Sequence, residues 1–164
     1  MYNKRKLSES KFSELKTLIQ SAEKSNKEEL DYLSSISVGL VNWHYKGKGD
    51  VSIEFFSPKR NKELEIFLRD NIITKNQNII SIHLLTYEEG SETLSHRDSN
   101  SSNTYLTLLQ KSDEGGELFL ENEIIPFEES EIVDYSGKTL HGVLKIKKGI
   151  RKTFCIWCRN STII

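Results

Sequence analysis

The sequence predicts an α+β chain in which N-terminal helices pack on one face of a β-sandwich or jelly roll. In the first third of the chain, apolar residues recur every three to four positions, which is the period of one helix face. After residue 78 the period changes to two, with a turn signal every 8–12 residues or so, as in all-β sandwiches. Helices followed by strands favour helices gathered on one sheet face.

Three helices are predicted before residue 78. The first covers 10–24, with Ser8 or Ser10 as its N-cap. Asn26 is predicted to cap a second, short helix, and a third covers 59–72. The residues that recur at helical spacing in the first helix are Phe12, Leu15, Leu18 and Ile19. Those expected to face inward from the third are Leu64, Phe67 and Leu68.

Eight strands are predicted from runs of alternating or β-branched residues. They cover 51–55, 79–87, 104–110, 117–120, 123–126, 131–135, 140–146 and 151–157. Gly115-Gly116 marks a tight turn, and Glu121-Asn122 is expected to connect a hairpin. The strand that ends at Thr153 to Trp157 is expected to be buried on both faces, because one lines a pocket and the other meets the helices.

Length and composition limit the number of domains, the partners and the compartment that can be expected for this chain. A chain of 164 residues fits one domain over 1–164, with a mainly helical support region (1–77) and a β core (78–160). With 23 basic and 24 acidic residues, nucleic acid and anionic membranes are disfavoured as partners. No apolar run approaches the ~20 residues of a membrane span. Two cysteines cannot form a disulfide scaffold, so a reducing cytoplasm is the expected compartment.

A metal site is suggested by His96-Arg97-Asp98. On a strand, residues i and i+2 share a face, so the imidazole and the carboxylate could hold one ion. His141, from a later strand, would complete a set of two histidines and one carboxylate that suits non-haem Fe(II). The triplet alone is a weak signal. His44 and His83 fit less well and are interpreted as hydrogen-bonded or surface histidines.

Arg151 and Thr153 share one face of the last predicted strand by the same rule. A guanidinium can clasp a carboxylate through two parallel hydrogen bonds, and the threonine hydroxyl can add a third donor. This pair suits the far end of a dicarboxylate co-substrate. Taken alone, Arg151 could equally be a surface residue on an edge strand.

Together these motifs resemble the Fe(II)- and 2-oxoglutarate-dependent dioxygenases, in particular their prolyl-4-hydroxylase-like branch. The resemblance runs from Ile79 to Arg159, about half of the chain. The segments that carry it are Tyr87-Glu88-Glu89-Gly90, His96-Arg97-Asp98, Leu106 to Leu109, Glu114-Gly115-Gly116-Glu117-Leu118, His141-Gly142-Val143 and Gly149-Ile150-Arg151-Lys152-Thr153. One departure is Arg151, since the collagen-type enzymes carry lysine there.

The resemblance implies a double-stranded β-helix and an iron site made by His96, Asp98 and His141. It implies that Arg151, with Thr153 and Tyr87, binds 2-oxoglutarate. The implied reaction is hydroxylation of an organic substrate with O2, decarboxylation of 2-oxoglutarate to succinate, and ascorbate as a candidate reductant. A prolyl residue of a peptide or protein is the first expected substrate, and a free amino acid or other small molecule is the second.

Other interpretations stay open at this stage. A cupin-like metal-binding protein would hold a metal without using 2-oxoglutarate, and a catalytically silent relative would serve as a binding module. Cys155-Ile156-Trp157-Cys158 has the spacing of a redox pair, but on a strand its two thiols should face opposite ways. The basic cluster of 145–152 is interpreted as a solvated turn. Arg97 is expected to point away from the metal, either as an exposed charge or at the border of the substrate mouth.

Overall fold

The computed structural model describes residues 1–35, 44–46, 51–98 and 100–161. Within them lie two helices, Glu9–Ser35 (α1) and Lys62–Asn71 (α2). The strands are Tyr2–Lys6 (β1), His44–Lys46 (β2), Ser52–Phe55 (β3), Gln77–Tyr87 (β4), Thr93–His96 (β5), Asn103–Gln110 (β6), Glu114–Gly115 (β7), Leu118–Leu120 (β8), Glu123–Ile125 (β9), Glu131–Ser136 (β10), His141–Val143 (β11), Ile146–Lys148 (β12) and Arg151–Asn160 (β13).

Two antiparallel sheets form the jelly roll. The main sheet has seven strands in the order β1-β10-β6-β13-β4-β3-β2, and the smaller sheet has four in the order β5-β11-β8-β9. A further pair, β12-β7, lies apart from both sheets. The inner faces of the two sheets share an apolar cluster that includes Leu106 of β6 and Leu118 of β8. This is the double-stranded β-helix that the resemblance implied.

The helices cover the other face of the main sheet. Leu15 and Ile19 of α1 and Phe67 and Leu68 of α2 join the same core as Phe154 and the other outward-facing apolar residues of the sheet. The inward residues predicted for α2 are all buried, which confirms the helical period. β13 lies between β6 and β4, and Phe154 and Ile156 are fully buried. The prediction that this strand is buried on both faces is therefore confirmed.

The helix boundaries differ from the prediction in two places. Ser8 does cap α1, since the backbone N–H of Lys11 donates to its Oγ at 3.2 Å. However, α1 continues without a break to Ser35, so Asn26 caps no second helix. The third predicted helix begins at Lys62 rather than 59, because the chain after Ser57 first forms a turn.

Asn26 stays helical because its side chain is occupied elsewhere. The buried amide donates to Glu54 Oε2 at 3.0 Å and to the backbone oxygen of Phe55 at 2.9 Å. An asparagine amide that binds its own backbone competes with a helix, but this one binds a neighbouring strand instead. Asn26 therefore fastens α1 to β3.

The N-terminal region supplies strands as well as helices. The predicted support region 1–77 includes β1, at one edge of the main sheet, and β2 and β3 at the other. β1 pairs with β10 from Tyr2↔Tyr135 to Lys6↔Glu131. Its sequence is mostly charged, which suits an edge strand and hides the alternation that predicts a strand.

The other predicted strands are found with small shifts, and one is divided. The segment predicted over 140–146 forms β11, and a separate strand, β12, then begins at Ile146. The hairpin between β8 and β9 is confirmed. Its two connecting residues, Glu121 and Asn122, both have positive φ, as a type I′ turn requires. Among the described residues, no helix is long and apolar enough to cross a membrane.

We predict that Asn26→Ala lowers the free energy of unfolding by about 1–3 kcal/mol, because two hydrogen bonds worth roughly 0.5–1.5 kcal/mol each are lost. Urea denaturation followed by circular dichroism measures this. Lys24→Ala is the matched control on the same helix. Its side chain is 79% exposed, so its effect should stay within about 0.5 kcal/mol. Equal stability of the Asn26 variant and the wild type would contradict the proposed link between α1 and β3.

Candidate functional site

A cavity of about 700 Å³ lies between the two sheets. Its floor is the inner face of the main sheet, and its opposite wall is formed by β5, β11 and β8. All six residues predicted for the site line it, namely Tyr87, His96, Asp98, His141, Arg151 and Thr153. The fold therefore brings together residues that span 67 positions of the sequence, from 87 to 153.

His96, Asp98 and His141 converge at one place in this cavity. His96 Nε2 is 3.5 Å from Asp98 Oδ1, and His141 Nε2 is 3.4 Å from Asp98 Oδ2. Ligand atoms of the three residues all lie within 4.8 Å of one another. The pairing of β11 with β5 produces this, because it places His141 directly opposite His96.

The other ring nitrogen of each histidine faces a backbone oxygen. His141 Nδ1 lies 2.8 Å from the Thr139 oxygen, and His96 Nδ1 lies 2.9 Å from the Leu94 oxygen. A carbonyl oxygen only accepts, so each Nδ1 must carry the proton and donate it. In a neutral imidazole this leaves the Nε2 lone pair directed at Asp98. This tautomer is the one that metal-ligating histidines adopt.

The site attracts positive charge. Burial opposes ionisation of Asp98, yet the hydrogen bonds that it accepts from His141 and His96 when their Nε2 atoms are protonated outweigh burial and hold the pKa of this carboxyl well below its usual range. The same hydrogen bond raises the pKa of His96 above 6.5, although partial burial opposes this shift. Three acceptor groups that face one another need either a proton or a metal ion between them.

Asp98 reaches the site by a route that the i, i+2 rule did not predict. β5 ends at His96, so Asp98 lies beyond the strand. Its position is set by a backbone hydrogen bond from the Asp98 N–H to the Gly137 oxygen at 2.9 Å. The Thr104 hydroxyl then donates to Asp98 Oδ2 at 2.7 Å and orients the carboxylate.

Gly137 permits this close approach. A Cβ atom on Gly137 would lie 1.9 Å from the Ser101 oxygen and 2.7 Å from the Asp98 oxygen, which is well inside van der Waals contact. Both contacts are with backbone atoms, which cannot rotate away. Glycine at this position is therefore a steric requirement of the loop that carries Asp98.

Arg151 is the second notable feature of the cavity. It is 2% exposed, and its Nη1 donates to the hydroxyl of Thr153. Nη2 is buried and has no hydrogen-bond partner. Among the described residues, no carboxylate forms a salt bridge with this guanidinium. Burial lowers the pKa of Arg151, but a guanidinium stays charged in proteins, so its charge calls for an anion.

Tyr87 and Gly116 shape the surroundings of Arg151. The guanidinium carbon lies 5.3 Å from the centre of the Tyr87 ring, and the Tyr87 hydroxyl is 2.9 Å from Thr93 Oγ1. Tyr87 thus holds the guanidinium from one side. A Cβ atom on Gly116 would come within 3.2 Å of Arg151 Cδ, so the glycine turn leaves room for the arginine stem.

Three residues with contacts in the site were missed by sequence reasoning. They are Thr104, which orients Asp98, Tyr135, whose ring centre is 4.8 Å from that of His141, and His83. His83 has the hydrogen bond that was expected, but it also lines the cavity. The alternation of side chains along β4 could have placed His83 in the cavity, because residues 83, 85 and 87 share one face of this strand.

The remaining motifs take no part in the triad. Cys155 belongs to the core on the cavity side of the sheet and Cys158 to the core on the helix side, so the two thiols face opposite ways as predicted. Arg97 is exposed at the cavity mouth, where its Nε donates to the Lys138 oxygen. The side chain of His44 lies outside the described part of the structure.

Comparisons with known proteins identify the fold. No protein-family model matches the chain, and no curated protein sequence matches it. Among solved structures, the viral collagen prolyl hydroxylase of Paramecium bursaria Chlorella virus 1, in its 2OG complex, is similar, with a TM-score of 0.62 and 19% identity over 98% of this chain and 96% of that chain. A Pseudomonas putida prolyl-4-hydroxylase has a TM-score of 0.60 and 14% identity over 98% and 93% of the two chains.

A third similar structure is a Trichoplax adhaerens prolyl hydroxylase, in complex with a peptide fragment of hypoxia-inducible factor. Its TM-score is 0.65 and its identity 13%, over 97% of this chain and 83% of that chain. At these identities the similarity establishes a shared fold. The fold is that of the prolyl hydroxylases among the 2OG-Fe(II) oxygenases, which agrees with the motifs found in the sequence.

We predict that Gly137→Ala weakens metal binding, because the Asp98 loop must move away from the new methyl group. Overpacking of this kind costs about 1–3 kcal/mol, so affinity should fall roughly tenfold or more. Titration with Co(II), followed by its visible absorption, measures the change. Lys138→Ala, at the exposed neighbouring position, is the control and should bind like the wild type. Unchanged affinity in the Gly137 variant would show that the loop tolerates the methyl group.

Proposed function

We propose that this chain is an Fe(II)- and 2-oxoglutarate-dependent dioxygenase that hydroxylates an organic substrate. One observation carries the proposal. A single cavity holds both a converging set of two imidazoles and a carboxylate and, separately, a buried arginine without a carboxylate partner among the described residues. The first feature requires a cation and the second an anion, and an Fe(II) ion with a dicarboxylic keto acid supplies both.

His96, Asp98 and His141 would hold the iron, and they leave the remaining coordination positions open, as suits an oxygenase. Arg151 would bind the distal carboxylate of 2-oxoglutarate through two charge-assisted hydrogen bonds. When bound, iron and 2-oxoglutarate supply the oxidising chemistry, in which O2 is consumed and 2-oxoglutarate becomes succinate and CO2 as the substrate gains a hydroxyl group. The small sheet and the main sheet form the two walls of the cavity in which the reaction would take place.

Thr153 and Tyr87 are proposed as positioning residues for Arg151. Thr153 accepts from one guanidinium nitrogen, and the Tyr87 ring packs against the guanidinium plane. Both contacts restrict rotation of a long side chain, so the co-substrate meets a preorganised fork. The Tyr87 hydroxyl already has a partner in Thr93, so a direct bond to the co-substrate would require that pair to rearrange.

A prolyl residue in a peptide or protein is the proposed substrate. It is supported by the fold, whose similar structures include three prolyl hydroxylases, one solved with 2OG and another with a peptide. A free amino acid or other small molecule is the competing substrate. Asp98 favours hydroxylation, because halogenases of the resembled superfamily replace this carboxylate by a small residue.

The decisive test of the triad is His141→Ala. We expect the wild type to bind one iron per chain and to convert 2-oxoglutarate to succinate, and the variant to lose both. Elemental analysis gives the metal content and proton NMR the succinate. Lys145→Ala, exposed just beyond the same strand, is the control. If the His141 variant kept its iron and its turnover, the assignment of the triad would be wrong.

The test of the co-substrate site is Arg151→Ala. Charge-assisted hydrogen bonds contribute roughly 1.5–3 kcal/mol each, so loss of the fork should raise the Kd for 2-oxoglutarate on the order of 10²-fold or more. Arg151→Lys keeps the charge without the fork, so a partial defect is expected. Anaerobic titration, followed through the charge-transfer band of the iron complex, measures both.

Lys152→Ala controls for changes on the same strand, because residue 152 faces away from the cavity, and it should bind 2-oxoglutarate like the wild type. Iron affinity should change little in either Arg151 variant, since this residue does not belong to the metal-binding group. Equal affinity of wild type and Arg151→Ala for 2-oxoglutarate would make a cupin-like metalloprotein the better interpretation.

A further inference from the structure

The mouth of the main cavity carries two opposite charges that the proposed metal and co-substrate sites do not use. Among the described residues, four acidic or basic side chains other than histidine line this cavity, namely Glu92, Arg97, Asp98 and Arg151. Asp98 and Arg151 belong to the proposed sites, which leaves Glu92 and Arg97 without an assigned role. Glu92 directly precedes β5 and Arg97 directly follows it, so the two charges lie at opposite ends of one short strand.

No described residue neutralises either charge. Glu92 is half-buried and Arg97 is exposed, and neither forms an ion pair with a described residue. Arg97 Nε donates to the backbone oxygen of Lys138 at 2.9 Å, which holds the side chain and leaves its two Nη groups without a described partner. The lysines on either side of Ile146, the residue that bonds to Ser91 beside Glu92, do not line the cavity. Both charges are therefore available to a bound molecule.

The strand between the two charges has an open edge. β5 is the outermost strand of the smaller sheet, in the order β5-β11-β8-β9, so no described strand lies on its other side. Leu94, within β5, is 55% exposed and lines the cavity. Extended peptides bind such strand edges through their backbone groups, and exposed apolar side chains then contact alternate residues of the peptide.

The spacing of the two charges limits the kind of ligand that could pair with both. Glu92 and Arg97 are five positions apart, and β5 is irregular, since Thr93 to His96 spans only two steps of β11. At about 3.3 Å per residue, the separation is roughly 14–17 Å. The ammonium and carboxylate groups of one amino acid lie within about 4 Å of each other, so a single free amino acid cannot reach both charges. An extended peptide covers the separation with about five residues.

We propose that Glu92 and Arg97 read the charge sequence of a peptide that lies extended along β5, with an acidic side chain of the peptide paired to Arg97 and a basic one, about five residues away, paired to Glu92. The inference rests on the proposed function and adds the sequence context that its substrate would carry. Arg97 directly follows the proposed ligand His96, so the acidic residue should lie next to the hydroxylated one and the basic residue farther away. A partner with charge of one sign would suit one end of β5 and be repelled at the other.

The first experiment measures binding apart from turnover. The protein is loaded with Zn(II) in place of iron and with 2-oxoglutarate, and backbone amide NMR follows titration with acetyl-Glu-Pro-Ala-Ala-Ala-Lys-amide and with its reversed sequence. The tighter binder is taken as the parent, because the direction of the chain along β5 decides between them. Replacing its Glu or its Lys by Gln should raise the Kd about threefold to fivefold each, and replacing both about tenfold. A parent that binds no better than its doubly neutral form, or no binding by either sequence, would overturn the inference.

The second experiment uses double-mutant cycles to assign each charge to its partner. In Arg97→Gln the Glu of the peptide should no longer improve binding, whereas its Lys should keep its effect, and Glu92→Gln should show the converse. Peptides are compared within each variant, so a general change in the cavity cancels. Glu123→Gln and Lys148→Gln are the matched controls, because both side chains are exposed and neither lines the cavity, and they should keep both effects. A peptide Glu that still improves binding in Arg97→Gln would overturn the pairing.

The outcomes distinguish this inference from the proposed function. Iron binding by the triad and 2-oxoglutarate binding by Arg151 are measured without any peptide, so the dioxygenase assignment can fail while the NMR titrations still test the charges beside β5. If succinate forms but the cycles show no coupling between Arg97 or Glu92 and the peptide, the dioxygenase assignment stands and the proposed reading of charge is wrong.

Discussion

The functional half of this molecule depends on one electrostatic constraint, the mutual approach of His96, Asp98 and His141. Each histidine donates from Nδ1 to a carbonyl oxygen, so both Nε2 atoms approach the carboxylate as acceptors. Three acceptors within 4.8 Å of one another repel unless a positive charge lies between them. The structure maintains this arrangement through the backbone hydrogen bond from Asp98 to Gly137, which supports the proposed cation site.

β13 connects that site to the rest of the protein. Because its side chains alternate, Arg151, Thr153, Cys155 and Trp157 line the cavity, whereas Phe154, Ile156 and Cys158 pack against the helix-side core. The strand lies between β4 and β6, so its register fixes the positions of its neighbours' cavity residues as well: Arg151 lies opposite Tyr87, and Cys155 lies between His83 and Leu106. A shift of one residue would exchange the two faces and destroy both the core and the site.

Sequence reasoning predicted the parts of the fold whose signals are local. β4 and β13 are long runs with a clear period, and α2 has three apolar residues at helical spacing, so each was found within a few residues of its true ends. β1 was not predicted from the sequence, because it is stabilised by pairing with β10, more than 120 positions away, and its own sequence is nearly all polar. For the same reason, β1 was not predicted within the mainly helical support region 1–77.

The candidate site was likewise predicted only in part from the sequence. The order and spacing of the motifs were enough to bring His96, Asp98, His141 and Arg151 into one hypothesis, and the cavity contains them all. What the sequence could not supply was the environment of each group. Asp98 lies off the strand because of a contact with Gly137, 39 positions later, and His83 lines the cavity because of the sheet register. The position of Asp98 has no local pattern, whereas the alternation along β4 already places His83 on the same face as Tyr87.

The unsatisfied buried polar groups of the main sheet differ in charge between its two faces. On the helix side, Asn26 binds Glu54 and the Tyr105 hydroxyl donates to Gln77 at 3.2 Å, while the buried Thr107 hydroxyl has no partner. On the cavity side, the unpaired buried atom is Nη2 of Arg151, which belongs to a charged group. Each such atom costs folding free energy, of the order of 1–3 kcal/mol when neutral and more when charged. A stable core would replace the arginine with an apolar side chain, so a buried guanidinium with an unpaired nitrogen in the cavity argues that a ligand, rather than the fold, completes its hydrogen bonds.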